Sequence, residues 1–306
     1  MVASRIMLTG GGRGLGRATA HKLAAAGHEV VLVARTQAAA SSAASQIRAA
    51  APNAIVKPAA VDLSSVGAIR DFAEARLEIG QPIDVLVHIA GVMQTSKTRR
   101  LTVDGYEETL AVNALAPFLL TGLLMPLLER SASARVVTVS SRLHLPGSRG
   151  APVDFDVADP HLEHGYHPDR AYKNSKLAVL WFTYELQRRL PPRAITANAV
   201  CPGFVPATAA ASTHGLMRPV MKHLMPHMPF ATSVEAASDS FVFMATDASL
   251  GGVGGRFYGE MRPIESSADS HDLARARRFW ELAGRLTGLD GLPAPVADHS
   301  TTQASE

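Results

Sequence analysis

Short, nearly unbroken apolar runs alternate along the chain with longer stretches in which apolar residues recur every three or four positions. The runs Arg5–Thr9, Glu29–Arg35, Ile55–Asp62, Ile83–Ile89, Arg135–Ser140 and Ile195–Val200 have strand length. Four of them show no polar alternation, the pattern of strands buried on both faces. Between them, Ala-rich stretches at Gly14–Ala26, Gln37–Ala50, Val66–Ile79, Gly105–Leu128 and Ala171–Leu190 read as helices. A seventh strand is expected near Arg256–Tyr258. Strand–helix repetition of this kind predicts an α/β fold: a doubly wound parallel sheet of about seven strands with helices on both faces.

Composition supports one large core. Of 306 residues, 47% are hydrophobic and 19% charged, which excludes a disordered or collagen-like chain. The lone cysteine, Cys201, excludes an internal disulfide framework. Thirty basic residues against 27 acidic ones give a net charge of +3, too even to imply a nucleic-acid partner. Arg5 leads straight into the first strand, with no signal-peptide pattern. The apolar stretch Ala114–Leu128 is shorter than a membrane span and carries Pro117 and Pro126. A soluble, cytoplasmic protein with no membrane partner is expected. No repeat or linker interrupts the first 285 residues, so residues 1–288 read as one domain. Three regions stand outside the alternation. They are a polar loop at Leu143–Arg170, a Met- and Pro-containing lobe at Phe204–Phe230, and a small polar tail at 289–306 expected to be disordered.

Chemistry concentrates at the strand ends. Between the first strand and first helix lies Thr9-Gly10-Gly11-Gly12-Arg13-Gly14-Leu15-Gly16. In a strand–turn–helix setting such glycines allow a tight exit, close approach to a pyrophosphate and tight helix packing, while the helix N-terminus offers free N–H groups. The second strand ends without the acidic residue that would bind a ribose 2′-hydroxyl; Arg35 stands there instead, and Arg13 sits in the turn. Two guanidinium groups suit a 2′-phosphate. Tyr172 and Lys176 are four residues apart, on one face of a helix. A nearby ammonium favours tyrosinate, so the expectation is a lowered phenol pKa and an acid/base pair useful near neutrality. Alone, such a pair would be an ordinary surface pair.

The T-G-x-x-x-G-x-G turn followed by Y-x-x-x-K resembles the short-chain dehydrogenase/reductase family, from about Arg5 to Gly288. Asp154-Phe155-Asp156, Glu185-Leu186 and Arg277-Arg278-Phe279-Trp280-Glu281-Leu282 resemble its retinol-dehydrogenase-like branch, which includes the WW-domain oxidoreductases. The resemblance implies a single Rossmann-type domain binding NADP(H), commonly as a homodimer or homotetramer. It implies cofactor contacts from Gly10, Gly12, Arg13, Gly14, Leu15, Gly16, Arg35, the Asp62-Leu63 pair, Ala90-Gly91, and Pro202-Gly203-Phe204-Val205. Tyr172 and Lys176 would also contact the cofactor, Lys176 by holding the nicotinamide ribose. It implies catalysis by Asn113, Ser141, Tyr172 and Lys176, with Ser141, the second serine of Val139-Ser140-Ser141, polarising the substrate carbonyl. Three positions depart from the family. Its two asparagines before Ala-Gly are His88 and Ile89 here, and its threonine two residues after Val205 is Ala207, with Thr208 next.

The expected activity is NADP(H)-dependent interconversion of a carbonyl and a secondary alcohol on a fairly hydrophobic small molecule, with Tyr172 as general acid/base. Two alternatives use the same fold: action on an enone or quinone or a non-redox dehydration or cyclisation, and a catalytically silent nucleotide sensor. The complete Asn113, Ser141, Tyr172 and Lys176 set argues against the last. His144, His161, His164 and His167 lie among Asp154, Asp156, Asp159 and Asp169, but irregular spacing favours a solvated loop over a metal site, and no metal is expected. The loop is a candidate rim of the substrate pocket, with His144 nearest Ser141. Met217, Met221, Met225 and Met228 could line one face of a short helix beside a hydrophobic substrate, or simply pack in the core or at a dimer contact.

Overall fold

A computed structural model describes residues 3–148, 150–190, 194–209 and 219–289. Their strands form one sheet in the order β3-β2-β1-β4-β5-β6-β7-β8. The strands are β1 Arg5–Thr9, β2 Glu29–Ala34, β3 Val56–Ala60, β4 Val85–His88, β5 Ala134–Val139, β6 Ile195–Cys201, β7 Phe257–Gly259 and β8 Arg262–Pro263. The first seven pair in parallel, as expected for a Rossmann-type sheet. The two-residue β8 adds an antiparallel edge that sequence pattern was too short to show. The turn into it, Glu260-Met261, has φ of 51° and 60°.

Helices cover both faces. On one side lie α1 Gly14–Ala25, α2 Gln37–Ala50 and, later in the chain, α6 Val234–Thr246. On the other lie α3 Val66–Ile79, α4 Glu108–Leu128, α5 Pro168–Arg189 and α7 Leu273–Thr287. The helices α6 and α7 lay outside the predicted stretches. Each sheet face therefore has its own apolar core, which is why the central strands carry no polar alternation.

Helix boundaries follow local chemistry. Thr36, Ser65, Ser233 and Asp272 cap α2, α3, α6 and α7 through their side chains. The polar loop ends earlier than expected, at His167, whose ring accepts the Asp169 amide, because Pro168 suits the first helical position. In α4 a π-turn spans Ala111–Leu115, with the Ala116 amide donating to the Ala111 carbonyl. Pro117 follows and has no amide to give Asn113, so the hydrogen-bond register shifts there. By length and composition α4 is long and apolar enough to cross a membrane, unlike the shorter stretch taken from sequence. In this fold 83% of its apolar window is buried among neighbouring elements.

Beyond β6, Phe204 bridges Ala231 and closes off the lobe. Met221 lies in a π-turn at Val220–Leu224 and Met225 in a 3-10 turn at Met225–His227, while Met228 is extended and exposed. These three methionines thus do not share one regular helix face. Met217 and the tail from residue 290 onward lie outside the described residues.

One core position carries a pH cost. His88, closing β4, is fully buried with Nε2 2.9 Å from the Thr121 hydroxyl, and burial pushes its pKa down to about 3. It is neutral when folded and titrates near 6.5 when unfolded. Between those values the unfolded chain binds the extra proton, so stability falls as pH drops through that window. His88→Asn is expected to flatten this loss by up to about 1.4 kcal/mol per pH unit. Urea unfolding midpoints between pH 7 and pH 4 check it; an unchanged slope would show that His88 does not carry the cost.

Candidate active site

The site lies at the carboxyl ends of β1, β4, β5 and β6, where the glycine turn, two loops and α5 meet. At β1 the chain leaves through Gly10, whose φ is +77°. A Cβ on Gly10 would stand 2.8 Å from the Ala90 amide, and one on Gly16 would stand 2.2 Å from the Gly10 carbonyl oxygen. Gly12 passes over Ala34 at the end of β2, where a Cβ would meet the Ala34 methyl at 3.1 Å. Gly14 differs: the nearest atom to its missing Cβ is the Thr208 hydroxyl, 3.9 Å away. Arg13 precedes α1 and provides no side-chain cap, so the first amides of the helix stay open. Leu15 and Val205 turn their side chains into the core and leave their main chain to the turn. Thr208 enters as a contact that the sequence placed one residue away from the family position.

Arg13 and Arg35 are both exposed, and neither joins a salt bridge among the described residues. Asp62 follows β3. Burial raises its carboxyl, but the Ser64 amide and hydroxyl and the charge of Arg35 outweigh this and hold it below the usual carboxylate range. Leu63 beside it packs against the α3–α4 side of the core.

Asn113 fixes the loop after β4. Its side-chain oxygen accepts the Val92 amide at 2.8 Å, and its Nδ2 donates to the Val92 carbonyl at 2.9 Å and the Ser175 hydroxyl at 3.0 Å. The Ser175 hydroxyl donates in turn to the Tyr172 carbonyl at 2.6 Å. Ala90 donates to the Thr9 hydroxyl at 3.4 Å. A Cβ on Gly91 would lie 3.3 Å from Asn113 Oδ1 and 3.7 Å from Lys176 Nζ. The His88 and Ile89 departures thus leave the loop held: His88 bonds Thr121, Ile89 packs against the α1-side core, and Asn113 does the pinning.

Lys176 Nζ is buried, donates to the Val139 carbonyl at 3.1 Å and lies 5.5 Å from the centre of the Tyr172 ring. Ser140 and Ser141 diverge. Ser140 is buried and donates to the Lys176 carbonyl at 2.9 Å. Ser141 is half-buried, accepts the Leu143 amide at 3.2 Å and hydrogen-bonds the Tyr172 phenol. The structure therefore brings Asn113, Ser141, Tyr172 and Lys176 together.

Their electrostatics differ from the expectation of a lowered phenol. Burial pushes Tyr172 up to about 12, with the Ser141 hydroxyl pulling against it. Burial also pushes Lys176 down to about 8. The ammonium sits over the ring rather than at the hydroxyl, so desolvation dominates both groups. At neutral pH the phenol holds its proton, the state a proton donor needs.

A family model for short chain dehydrogenase matches residues 4–153. Retinol dehydrogenase 14 of Homo sapiens is 34% identical, covering 94% of this chain and 88% of its own length. The chain belongs to the short-chain dehydrogenase family. The WW domain-containing oxidoreductase of Danio rerio is 35% identical over 95% of this short-chain dehydrogenase and 70% of its own length. These relatives place it in the retinol-dehydrogenase-like branch and make it an oxidoreductase. The solved Pseudomonas aeruginosa RhlG/NADP active-site complex superposes with a TM-score of 0.64 at 25% identity, covering 85% of this chain and 95% of that one.

A nicotinamide dinucleotide fits this enzyme's turn. The uncapped start of α1, the room over Gly14 and the facing Thr208 hydroxyl provide donors and space for a pyrophosphate. Pro202 and Gly203 flank the other side; Gly203 has φ +79°, and a Cβ there would strike the Thr232 hydroxyl at 2.2 Å. Among the described residues no three His, Cys, Asp or Glu side chains converge as metal ligands. His161 stacks on Tyr106, and His144 is buried behind Ser141.

Asn113→Ala strands the Val92 amide and carbonyl beneath the loop. It is expected to destabilise the fold by about 1–3 kcal/mol, the cost of partners left unsatisfied in a partly buried loop. Chemical denaturation of the variant checks this, and a loss below about 0.5 kcal/mol would show that the loop is held elsewhere.

Proposed function

We propose that this short-chain dehydrogenase is an NADP(H)-dependent oxidoreductase interconverting a carbonyl and a secondary alcohol on a fairly hydrophobic small molecule. The observation that carries this reading is the convergence of four groups: the Ser141 hydroxyl at the Tyr172 phenol, Lys176 Nζ 5.5 Å from the centre of that ring, and Asn113 pinning the loop beside Lys176. When bound, the dinucleotide supplies or accepts hydride at its nicotinamide ring. The protein supplies the proton. Ser141 donates a hydrogen bond to the substrate oxygen and stabilises negative charge developing there. Tyr172 gives its phenolic proton to that oxygen as the alkoxide forms, and takes it back in oxidation. Lys176 stabilises the transient phenolate by its charge, and would hold the nicotinamide ribose. Asn113 positions the Gly91-Val92 loop beside Lys176.

The 2′-phosphate preference rests on Arg13 and Arg35, exposed and without salt bridges among the described residues, where a carboxylate would select the other cofactor. The NADP in the RhlG complex agrees with this reading. A retinol-dehydrogenase relative supports a lipophilic alcohol or its carbonyl as the substrate class.

Fluorescence titration with NADPH and NADH is expected to show at least about tenfold tighter NADPH binding, and Arg35→Ala to erase most of that preference, since each paired guanidinium–phosphate contact is worth about 1.5–3 kcal/mol. Equal binding of both cofactors by the wild type would refute the assignment. Tyr172→Phe is expected to lower kcat by about 100-fold or more with NADPH affinity preserved. Full activity in that variant would sink the proton-transfer role, and turnover that leaves no deuterium from deuterated NADPH in the product would favour the non-redox alternative.

A further inference from the structure

Ser141 is held by more than its own strand. His144 follows it in the Arg142–His144 turn and is completely buried, yet both ring nitrogens are engaged. Nε2 lies 3.1 Å from the Ser267 amide. An amide only donates, so Nε2 is the bare, accepting nitrogen. The ring proton therefore sits on Nδ1, which donates to the Ser141 carbonyl at 2.5 Å. The ring edge packs on Phe257 of β7 with centroids 5.3 Å apart.

The far end of this link is itself hydrogen-bonded on several sides. Ser267 caps the turn Ala268–His271, and its carbonyl accepts the Ser270 hydroxyl at 2.6 Å. Ser270 bonds Ser266 at 2.7 Å, and Ser266 bonds both His271 Nε2 at 3.0 Å and the Tyr184 phenol at 2.8 Å. Tyr184 stands on α5, the helix that carries Tyr172 and Lys176. The same C-terminal turn thus grips the serine side of the site through His144 and the tyrosine side through Tyr184.

We propose that His144 is a positioning residue for the carbonyl step, tying the main chain of Ser141 to the 266–271 segment so that the Ser141 hydroxyl keeps its place beside Tyr172. The proposal rests on the carbonyl–alcohol reading above. A phenyl ring would fill the same volume and bury no nitrogen of its own, but it would leave the Ser267 amide without an acceptor, so the imidazole here is explained by its two bonds rather than by packing. Burial and the nearby His271 keep the ring neutral against the pull of the Ser141 carbonyl, which preserves the accepting Nε2.

Three variants separate the bonds. His144→Phe keeps a ring and loses both. His144→Asn presents an amide N–H near the place of Nδ1, and His144→Gln carries an amide oxygen out toward the place of Nε2. With a ketone substrate and NADPH, the Phe and Gln variants are expected to lose kcat by about 10- to 100-fold while Asn stays within a few-fold of wild type, the penalty of a displaced oxyanion donor. NADPH affinity should hold within about two-fold in all three, since the dinucleotide turn is untouched. Thermal midpoints should not follow that order, because Gln keeps the Ser267 bond. A Phe variant with wild-type kcat, or an Asn variant as slow as Phe, would overturn the proposal. If the Phe variant does not fold, equal kcat in Asn and Gln overturns it. Hydrogen exchange over residues 141–145 gives a reading independent of turnover. It should be faster in the Gln variant than in the Asn variant, and no difference would overturn the link. A wild type that reduces no ketone would instead remove the carbonyl reading, with the exchange result still reporting the link.

Discussion

At the end of β1 the chain passes so close to β4 that no side chain fits between them. Gly16 sits against the Gly10 carbonyl, Gly10 against Ala90, and Gly91 against Asn113 and Lys176. These approaches form one continuous contact from the turn that fits a pyrophosphate to the lysine on α5. A methyl group at the first two would push the turn off the sheet, because the opposing atoms are backbone and cannot move aside. The glycine turn and the Ala90-Gly91 loop take their places from this crossing. Asn113 secures the loop on its far side, and the π-turn that holds Asn113 exists where Pro117 withdraws its amide from the helix ladder.

Desolvation sets the protonation states inside this frame. It raises Tyr172, lowers Lys176 and lowers His88. For His88 the consequence is structural, since a neutral imidazole beside Thr121 occupies a place where an asparagine is usual in the family. For Tyr172 it is chemical, since a phenol that keeps its proton at neutral pH is prepared to give it to an alkoxide. The Ser141 hydroxyl is the one group at the phenol that works against burial, so its position governs the phenol as well as the substrate oxygen. That double dependence gives weight to whatever holds Ser141, and the His144 bridge ties it to the C-terminal turn.

Much of this was legible in the sequence because it depends on local or periodic signals. Unbroken apolar runs mark strands covered on both faces, and the seven parallel strands lie within a residue or two of their predicted runs. The glycine turn, the Tyr172–Lys176 spacing and Ser141 at a strand end are short-range patterns whose meaning comes from flanking elements. The antiparallel β8 was not legible, since two residues have no period. Thr208 was legible only as a near miss; it reaches Gly14 because the chain after Val205 turns toward α1.

The sequence by itself determined the α/β class, the family and the identity of the groups at the site, because burial pattern and motif spacing are written along the chain. Only the tertiary structure decided their states and partners. That Tyr172 is raised rather than lowered depends on how much water the folded chain removes from it. That His144 accepts from Ser267, 123 residues away, and donates to Ser141 depends on α7 and its preceding turn closing over α5. Desolvation and long-range hydrogen bonds are properties of the assembled volume, and no local pattern of residues encodes them.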